Sequence, residues 1–238
     1  MKARIKFRKY GAMKFIGHLD VMRYFQKAMR RADIPIAFTG GYSPHMVMSF
    51  AQPLGVGITS DGEYLDIELK EPIASAQAVS QLNQVMAEGI DIVSFVEIPD
   101  DKKASGMTIT AAADYKVFLL ESPKTSEITC KIPPEWKTAL EGFLSREQIV
   151  VWKKTKRSEK EVDIKPMIYD MKADDESIYL FLATGSESNL KPDLVMEAFL
   201  KYMKEEDVPL HYHRLDLYAK DEHGTLVPLD ALGHEMEV

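Results

Sequence analysis

The sequence is poor in cysteine and in long apolar runs. Its 238 residues include one cysteine, Cys130, which excludes a disulfide framework and indicates a reducing compartment. One thiol also cannot hold an iron–sulfur cluster, because such clusters are anchored by several cysteines. No apolar run approaches the roughly 20 residues that a membrane span needs, and the basic N-terminus has no apolar signal-peptide core. We therefore predict a cytoplasmic protein with no membrane contact.

Motifs for cofactors and metals are also lacking. The glycines of Gly55-Val56-Gly57 and Gly185-Ser186 form neither a G-x-G-x-x-G fingerprint nor a loop with a Walker lysine. His211 and His213 share one face of a predicted strand, but zinc needs three or four protein ligands and no third is nearby. We therefore predict no bound cofactor and no metal.

Acidic residues are nearly absent from the first 31 positions. This segment contains ten Lys or Arg residues and one acid, Asp20, for a net charge of +9. The whole chain carries −7, so the remaining residues carry −16. Such a polarity concentrates positive potential on whatever surface the N-terminal elements form, and phosphate-rich partners are the usual reason for it.

The order of predicted elements in the first half is βαββαβ. Residues 3–10 alternate as a strand, with Ala3, Ile5 and Phe7 on one face. A helix follows whose apolar stripe is Leu19, Met22, Phe25, Met29 and Ala32. Two helices over one face of an antiparallel sheet make a ferredoxin-like unit. The predicted bounds are strands at 3–10, 47–58, 64–69 and 90–98 and helices at 19–32 and 75–88.

The second half follows a similar order with one further strand. Strands are predicted at 113–120, 149–152, 162–168, 178–183 and 210–218, with helices at 135–144 and 194–203. The fold class is therefore predicted as α+β, with two tandem ferredoxin-like units and antiparallel sheets. We assign residues 1–99 to the first domain, 100–112 to a linker, and 113–238 to a second domain with a C-terminal extension.

A ferredoxin-like unit leaves one sheet face open, and basic side chains would line it here. That face suits an RNA backbone, and Tyr10, Tyr42 or Phe50 could stack on unpaired bases. The alternatives are a solvated face or a docking surface for the acidic remainder of the chain. The proposed contacts with nucleic acid are Arg4, Lys6 and Arg8 on the strand, Arg23, Lys27, Arg30 and Arg31 on the helix, and Tyr42 and His45 in the turn after it.

A second basic cluster occupies the tip of a predicted hairpin. Its candidate phosphate contacts are Lys153, Lys154, Lys156 and Arg157. Glu159, Glu161 and Asp163 follow at once and weaken the local field. The alternative is an ordinary solvated loop.

Two histidines and a phenol could perform acid–base chemistry near this basic surface. His18 begins the first helix, while Tyr42 and His45 lie in the turn after it. Together they could act on an RNA 2′-hydroxyl without a metal. The alternative is structural, with His18 capping its helix and His45 hydrogen-bonded within its loop.

Several longer strings resemble one known family, the radical-SAM-linked proteins, a domain family of unknown function. They are Ile16-Gly17-His18-Leu19-Asp20-Val21-Met22-Arg23, Gly41-Tyr42-Ser43-Pro44-His45, Ser49-Phe50-Ala51-Gln52-Pro53-Leu54-Gly55-Val56-Gly57, Glu63-Tyr64-Leu65-Asp66-Ile67-Glu68-Leu69 and Val162-Asp163-Ile164-Lys165-Pro166. The resemblance implies a radical SAM enzyme as partner, which would hold the iron–sulfur machinery, and it supplies no catalytic residue. His45-Met46 replaces the asparagine and arginine that such sequences usually have after the proline.

Three hypotheses follow. The first is a non-catalytic accessory protein that presents RNA, either tRNA or rRNA, to a radical SAM enzyme. The second is a metal-independent endoribonuclease that uses His18 and His45 and resembles, by analogy of fold, the enzymes that process CRISPR repeat RNA. The third is a protein-docking module whose basic face meets an acidic partner.

Overall fold

A computed structural model describes residues 1–124, 131–154, 159–186 and 188–237. The chain divides into two compact units. Unit 1 combines Met1–Ala111 with Arg214–Val238, and unit 2 is Ala112–His213. The fold is mixed α+β, and the paired strands for which we describe the register are antiparallel. Within the described residues there are five α-helices, none of them long and apolar enough to cross a membrane.

Unit 1 begins with a run of seven elements. They are β1 (Lys2–Lys9), α1 (His18–Arg31), β2 (Met48–Ala51), β3 (Thr59–Glu68), α2 (Ser75–Val85), β4 (Ile90–Ile98) and α3 (Gly106–Ile109). Short 3-10 helices cover Gly11–Phe15 and Lys102–Ala104. In the sheet, β1 lies between β4 and β3, and β2 also pairs with β3.

The remaining elements complete unit 2 and then return to unit 1. They are β5 (Thr110–Leu119), α4 (Pro134–Leu144), β6 (Val150–Lys154), β7 (Glu159–Asp163), β8 (Ile168–Ala173), β9 (Ile178–Ala183), α5 (Pro192–Met203), β10 (Leu210–Lys220) and β11 (Leu226–Pro228), with 3-10 helices at Lys165–Met167 and Leu229–Leu232. In unit 2, β9 pairs with β5 and β8, and β6 pairs with β7 as a separate hairpin. In unit 1, β10 pairs with β3 and β11.

The core of unit 1 lies between its sheet and its helices. Ala3, Ile5 and Phe7 are fully buried, and the Phe7 ring lies 4.7 Å from that of Phe25 on α1. The alternation in β1 therefore predicted the core face correctly. The stripe on α1 differs at one end, because Leu19 is 61% exposed and does not join the core.

The segment predicted as one strand at 47–58 is a short strand followed by a loop. Strand β2 ends at Ala51, and Gln52 has a φ of 44°, which turns the chain out of the sheet. Pro53 follows and cannot donate a backbone hydrogen bond to a ladder. This loop carries Val56 into solvent beside the start of α1.

Candidate nucleic-acid interface

Arg4 does not face water, in contrast to the open face predicted for β1. Its side chain is 1% exposed and donates from Nε and Nη2 to the two carboxylate oxygens of Asp66, at 2.7 and 3.0 Å. The remaining donors reach the backbone oxygens of Leu229 at 3.0 Å and Ala104 at 2.8 Å. Arg4 and Asp66 are direct partners across β1 and β3, which explains the two-pronged pairing. Arg4 is therefore a buried structural cation.

Lys6 is neutralised by acids from the C-terminal part of unit 1. Its Nζ lies 2.6 Å from Asp216 Oδ2 on β10 and 3.8 Å from Asp230 Oδ1. The hydroxyl of Tyr64 lies within hydrogen-bond distance of the same two carboxylates, at 2.6 and 3.1 Å, and donates its single proton to one of them at a time. Ser94 on β4 donates to Asp230 at 2.9 Å. Lys6 therefore contacts the acidic remainder of the chain, as the docking alternative predicted, and does not lie on an open face.

A third ion pair extends this arrangement along β1. The register of β1 with β3 shifts between Phe7 and Lys9, and the buried Lys9 Nζ lies 3.6 Å from Glu63. Arg214 of β10 lies 3.8 Å from the same carboxylate and donates to the Gly62 backbone oxygen at 3.1 Å. We call this set the ionic layer: Arg4, Lys6, Lys9 and Arg214 with Asp66, Glu63, Asp216 and Asp230. Its cations and carboxylates are equal in number, so it offers no net charge to a polyanion.

Tyr64 is the titratable group that the ionic layer perturbs most clearly. Burial, reinforced by the negative charges of Asp216 and Asp230, raises the pKa of its phenol far above the usual range. The fold therefore favours the protonated hydroxyl, which can donate a hydrogen bond to these carboxylates. This residue acts as a hydrogen-bond bridge between two acids, and it is poorly suited to act as a base.

The raised pKa of Tyr64 predicts a loss of stability at high pH. An unfolded tyrosine ionises near pH 10, but Tyr64 in the fold does not, so ionisation favours the unfolded chain. The free energy of unfolding should fall by about 1.4 kcal/mol per pH unit above pH 10 on account of this residue. Urea unfolding from pH 8 to 11 measures this, and Tyr64→Phe should show a shallower decline. Tyr42→Phe, at an exposed site, should show the same decline of unfolding free energy with pH as the wild type. If the decline for Tyr64→Phe were parallel to that of the wild type, the loss of stability would not come from Tyr64.

The basic residues of α1 lie in solvent, as predicted. Arg23, Lys27, Arg30 and Arg31 are all exposed, and their spacing of three and four places them on one side of the helix. We call these four residues the basic helix face. Arg23 lies 3.3 Å from Asp20 in an exposed pair, and Arg31 donates to the Val85 backbone oxygen at 3.0 Å. Among the described residues, no ion pair reaches Lys27 or Arg30. On β1, Arg8 is half-exposed and lies 3.5 Å from Asp61.

His18 and His45 each have a partner of their own in the structure. The ring of His18 packs edge-on against Phe50, with centroids 5.2 Å apart. His45 contacts Thr39 through its backbone N–H and its Nδ1, each 3.1 Å from the hydroxyl oxygen. Within the described part of the chain no hydrogen bond or ring contact links the two imidazoles. The structural alternative predicted that His45 is hydrogen-bonded within its own loop, and this is what the structure shows. It also predicted that His18 caps the first helix, but the N-cap of α1 is Gly17.

The aromatic residues proposed for base stacking differ in accessibility. Tyr42 is fully exposed, and Tyr10 is partly exposed with its hydroxyl donating to Asp91 at 3.2 Å. Phe50 is buried in the core against Phe7 and Phe25, so it cannot reach a ligand. Stacking on Phe50 is therefore excluded by its packing.

The basic hairpin is described only in part. Strands β6 and β7 pair Lys153 with Lys160 and Lys154 with Glu159. Lys156 and Arg157, and the side chains of Lys153 and Lys154, lie outside what the structure describes. Trp152, at the same hairpin, is 65% exposed.

The paired histidines of β10 do not form a metal site with their surroundings. The ring of His211 stacks on Phe118, with centroids 6.4 Å apart. In the part of the chain that the structure describes, no group of three or more potential ligand side chains could hold a metal ion.

Sequence reasoning missed an exposed apolar cluster at the start of α1. Phe15 is 63% exposed, and Lys14 Nζ lies 5.1 Å from the centroid of its ring. The backbone N–H of Gly57 donates to the Lys14 oxygen at 2.7 Å, which ties the loop that carries exposed Val56 to the backbone just before Phe15. We call Phe15, Leu19 and Val56 the apolar tip. Leu19 lies one helical turn before Arg23, so the apolar tip continues into the basic helix face.

Comparison with known proteins gives one family. A family profile described as an uncharacterized protein conserved in bacteria, DUF2344, matches residues 2–192. The match includes β1, α1 and the apolar tip and ends before β10. No curated protein matches the chain.

Proposed function

This chain belongs to the DUF2344 family, and we propose that it is a non-catalytic accessory protein that binds RNA through the basic helix face. One observation carries the proposal: four cations lie side by side in solvent on α1 with a single acid, Asp20, among them. Three of the four are arginines, whose planar guanidinium groups bind phosphate oxygens in pairs. The balanced ionic layer adds nothing to this field.

The packing of α1 supports this role. Val21, Phe25, Ala28 and Met29 are buried on the opposite side of the helix, which fixes α1 on the sheet of unit 1. The cations are therefore displayed from a rigid support. Side chains held this way bind phosphates at a smaller entropic cost than side chains on a free segment.

We extend the proposal to a radical SAM partner in the cytoplasm. The strings that resemble radical-SAM-linked proteins support it, and so does the single cysteine, because the iron–sulfur cluster would belong to the partner. The proposed partner also gives the RNA contact a purpose, since the accessory protein would position an RNA that the enzyme modifies. Co-purification of the two proteins after ribonuclease treatment would show direct docking, whereas loss of the enzyme on that treatment would show bridging by RNA.

We also propose that both units follow the ferredoxin-like plan. In unit 1 the chain order β1, α1, β2, β3, α2, β4 and the sheet neighbours β4-β1-β3-β2 support it. In unit 2 the order β5, α4, β8, β9, α5 supports it, followed by the first four residues of β10 and with the hairpin β6–β7 as an insertion. This plan leaves α1 on the outer side of its unit, where RNA can approach.

The test of RNA binding is a charge reversal on the basic helix face. Arg30→Glu with Arg31→Glu should weaken RNA binding at least tenfold near 100 mM salt and reduce its salt dependence, because fewer counterions are released. Filter binding across a salt series measures both effects. The matched control is Lys102→Glu with Lys103→Glu, an adjacent exposed pair in the same unit with the same change in charge. Equal losses from the two double variants, or binding independent of salt, would contradict the proposal.

The non-catalytic part of the proposal has a separate test. RNA incubated with the pure protein and a chelator should remain intact, because the geometry does not join His18 to His45. Defined cleavage products that disappear in His18→Ala and in His45→Ala would instead support the endoribonuclease hypothesis.

A further inference from the structure

An exposed phenylalanine beside a cation needs a reason on the surface of a folded unit. Phe15 lies in the 3-10 helix Gly11–Phe15, directly before α1, and buries little of its ring. Two further apolar side chains are about equally exposed: Leu19, on the first turn of α1, and Val56, whose neighbour Gly57 donates its backbone N–H to the Lys14 oxygen. An apolar group of this kind next to charge marks a contact surface.

The charge around the apolar tip favours a nucleotide as its occupant. Lys14 Nζ lies over the ring of Phe15, 5.1 Å from its centroid, so a cation stands on one face of this aromatic ring. On the other side the tip leads to Arg23, the first cation of the basic helix face. A nucleotide combines a flat apolar base with an anionic phosphate, which is the pairing of surfaces that the tip presents.

We propose that Phe15 is a stacking platform for an unpaired base, and that the RNA recognised by this protein is single-stranded where it crosses the start of α1. The inference rests on the proposed RNA-binding function. The RNA backbone lies along the basic helix face, with its phosphates on Arg23 and Lys27, and the next base turns onto the Phe15 ring. Leu19 and Val56 flank that base and exclude water from its edge. In a duplex the faces of the bases are covered by their neighbours, so a duplex cannot use this platform.

The experiment compares one RNA sequence as a labelled 12-nucleotide single strand and as a duplex, by fluorescence anisotropy. The wild type should bind the single strand at least tenfold more tightly. Phe15→Leu keeps an apolar side chain but removes the ring, and it should weaken single-strand binding about tenfold while leaving duplex binding unchanged. Phe15→Trp should retain single-strand binding, and its added fluorescence should be quenched by the bound base.

The matched control is Phe38→Leu, because Phe38 is also an exposed phenylalanine under a lysine. Lys70 Nζ lies 5.0 Å from its ring centroid, and Phe38 follows the C-terminal end of α1 instead of preceding its start. This variant should bind both RNAs as the wild type does. Thermal unfolding of the Phe15 variants should match the wild type, since the ring contributes little to the core.

The failures of the two proposals are distinguishable. If neither RNA binds in a salt-dependent way, the proposed RNA-binding function is wrong, and the stacking inference falls with it. If both RNAs bind equally and Phe15→Leu changes nothing, RNA binding stands and the inference is overturned. If Phe15→Leu and Phe15→Trp weaken single-strand binding equally, the aromatic ring is not what binds the base, and the inference is overturned. If Phe38→Leu weakens single-strand binding as much as Phe15→Leu does, the effect is not specific to position 15, and the inference is also overturned.

Discussion

Replacing Arg4 with methionine should lower the free energy of unfolding by about 3–5 kcal/mol, the usual cost of removing one partner from a buried ion pair. Methionine fills a similar volume but leaves the Asp66 carboxylate buried with the Gly106 backbone N–H as its remaining donor, at 2.7 Å. It also leaves the Leu229 and Ala104 backbone oxygens without the donors that Arg4 supplies. Urea unfolding followed by far-UV circular dichroism measures the change.

Lys2 provides the matched control on the same strand. Its Nζ lies 2.9 Å from Asp100, whose side chain is largely exposed. Such surface pairs contribute about 0–1 kcal/mol, so Lys2→Met should have little effect. If Arg4→Met and Lys2→Met cost the same, burial of the Arg4–Asp66 pair would not be what stabilises this part of the sheet.

Adding one methyl group at Gly62 should be nearly as damaging. A Cβ atom there would lie 2.7 Å from both the Asp216 Cα and the Leu215 backbone oxygen, so the new atom meets the backbone of β10. Relief requires β3 and β10 to move apart, and overpacking of this kind costs about 1–3 kcal/mol, occasionally more. We expect Gly62→Ala to reach at least the upper end of that range, because rigid backbone is involved. Thermal unfolding and amide hydrogen exchange in β10 measure the loss.

Gly55 is the control for this substitution. A Cβ at Gly55 meets no other atom within 4 Å, and its φ lies outside the left-handed region. Gly55→Ala should therefore leave the free energy of unfolding unchanged or raise it slightly, because alanine lowers the conformational entropy of the unfolded chain. A comparable loss at both glycines would show that the close approach of β10 to Gly62 is not the cause.

The alternation of β1 predicted its core face and could not predict what covers the other face. Ala3, Ile5 and Phe7 are buried as expected, because a period of two is a local property of the strand. The partners of Lys6 are Asp216 and Asp230, more than 200 residues away in sequence, and no local pattern connects them. The charge count was correct, but it could not show that part of the acidic remainder folds onto the basic strand.

The contrast between Arg8 and Lys9 has a similar cause. Regular alternation places Arg8 with Arg4 and Lys6, and it places Lys9 with Phe7. Lys9 is buried beside Glu63, the residue opposite Phe7 on β3, while Arg8 stays half-exposed beside Asp61. The pattern of β1 alone shows neither carboxylate, because both lie on another strand.

The helix was easier to predict than the tip beside it. Predicted at 19–32, α1 extends over His18–Arg31, and its four cations are exposed because helical periodicity separates the polar side from the apolar one. Phe15 lies in a single 3-10 turn, where no periodicity exists to show which side chains face water. Its neighbour Val56 comes from a loop held by the Gly57–Lys14 contact, which only the folded chain provides.

The division of unit 1 between both ends of the chain has a consequence for its synthesis. On a ribosome adding about 5–20 residues per second, β1 emerges roughly 10–40 s before Arg214, Asp216 and Asp230 exist. During that interval Lys6 lacks both of its carboxylates, and the N-terminal sheet has an unfinished, positively charged side. The folding of unit 1 therefore cannot be completed until the last part of the chain has been synthesised.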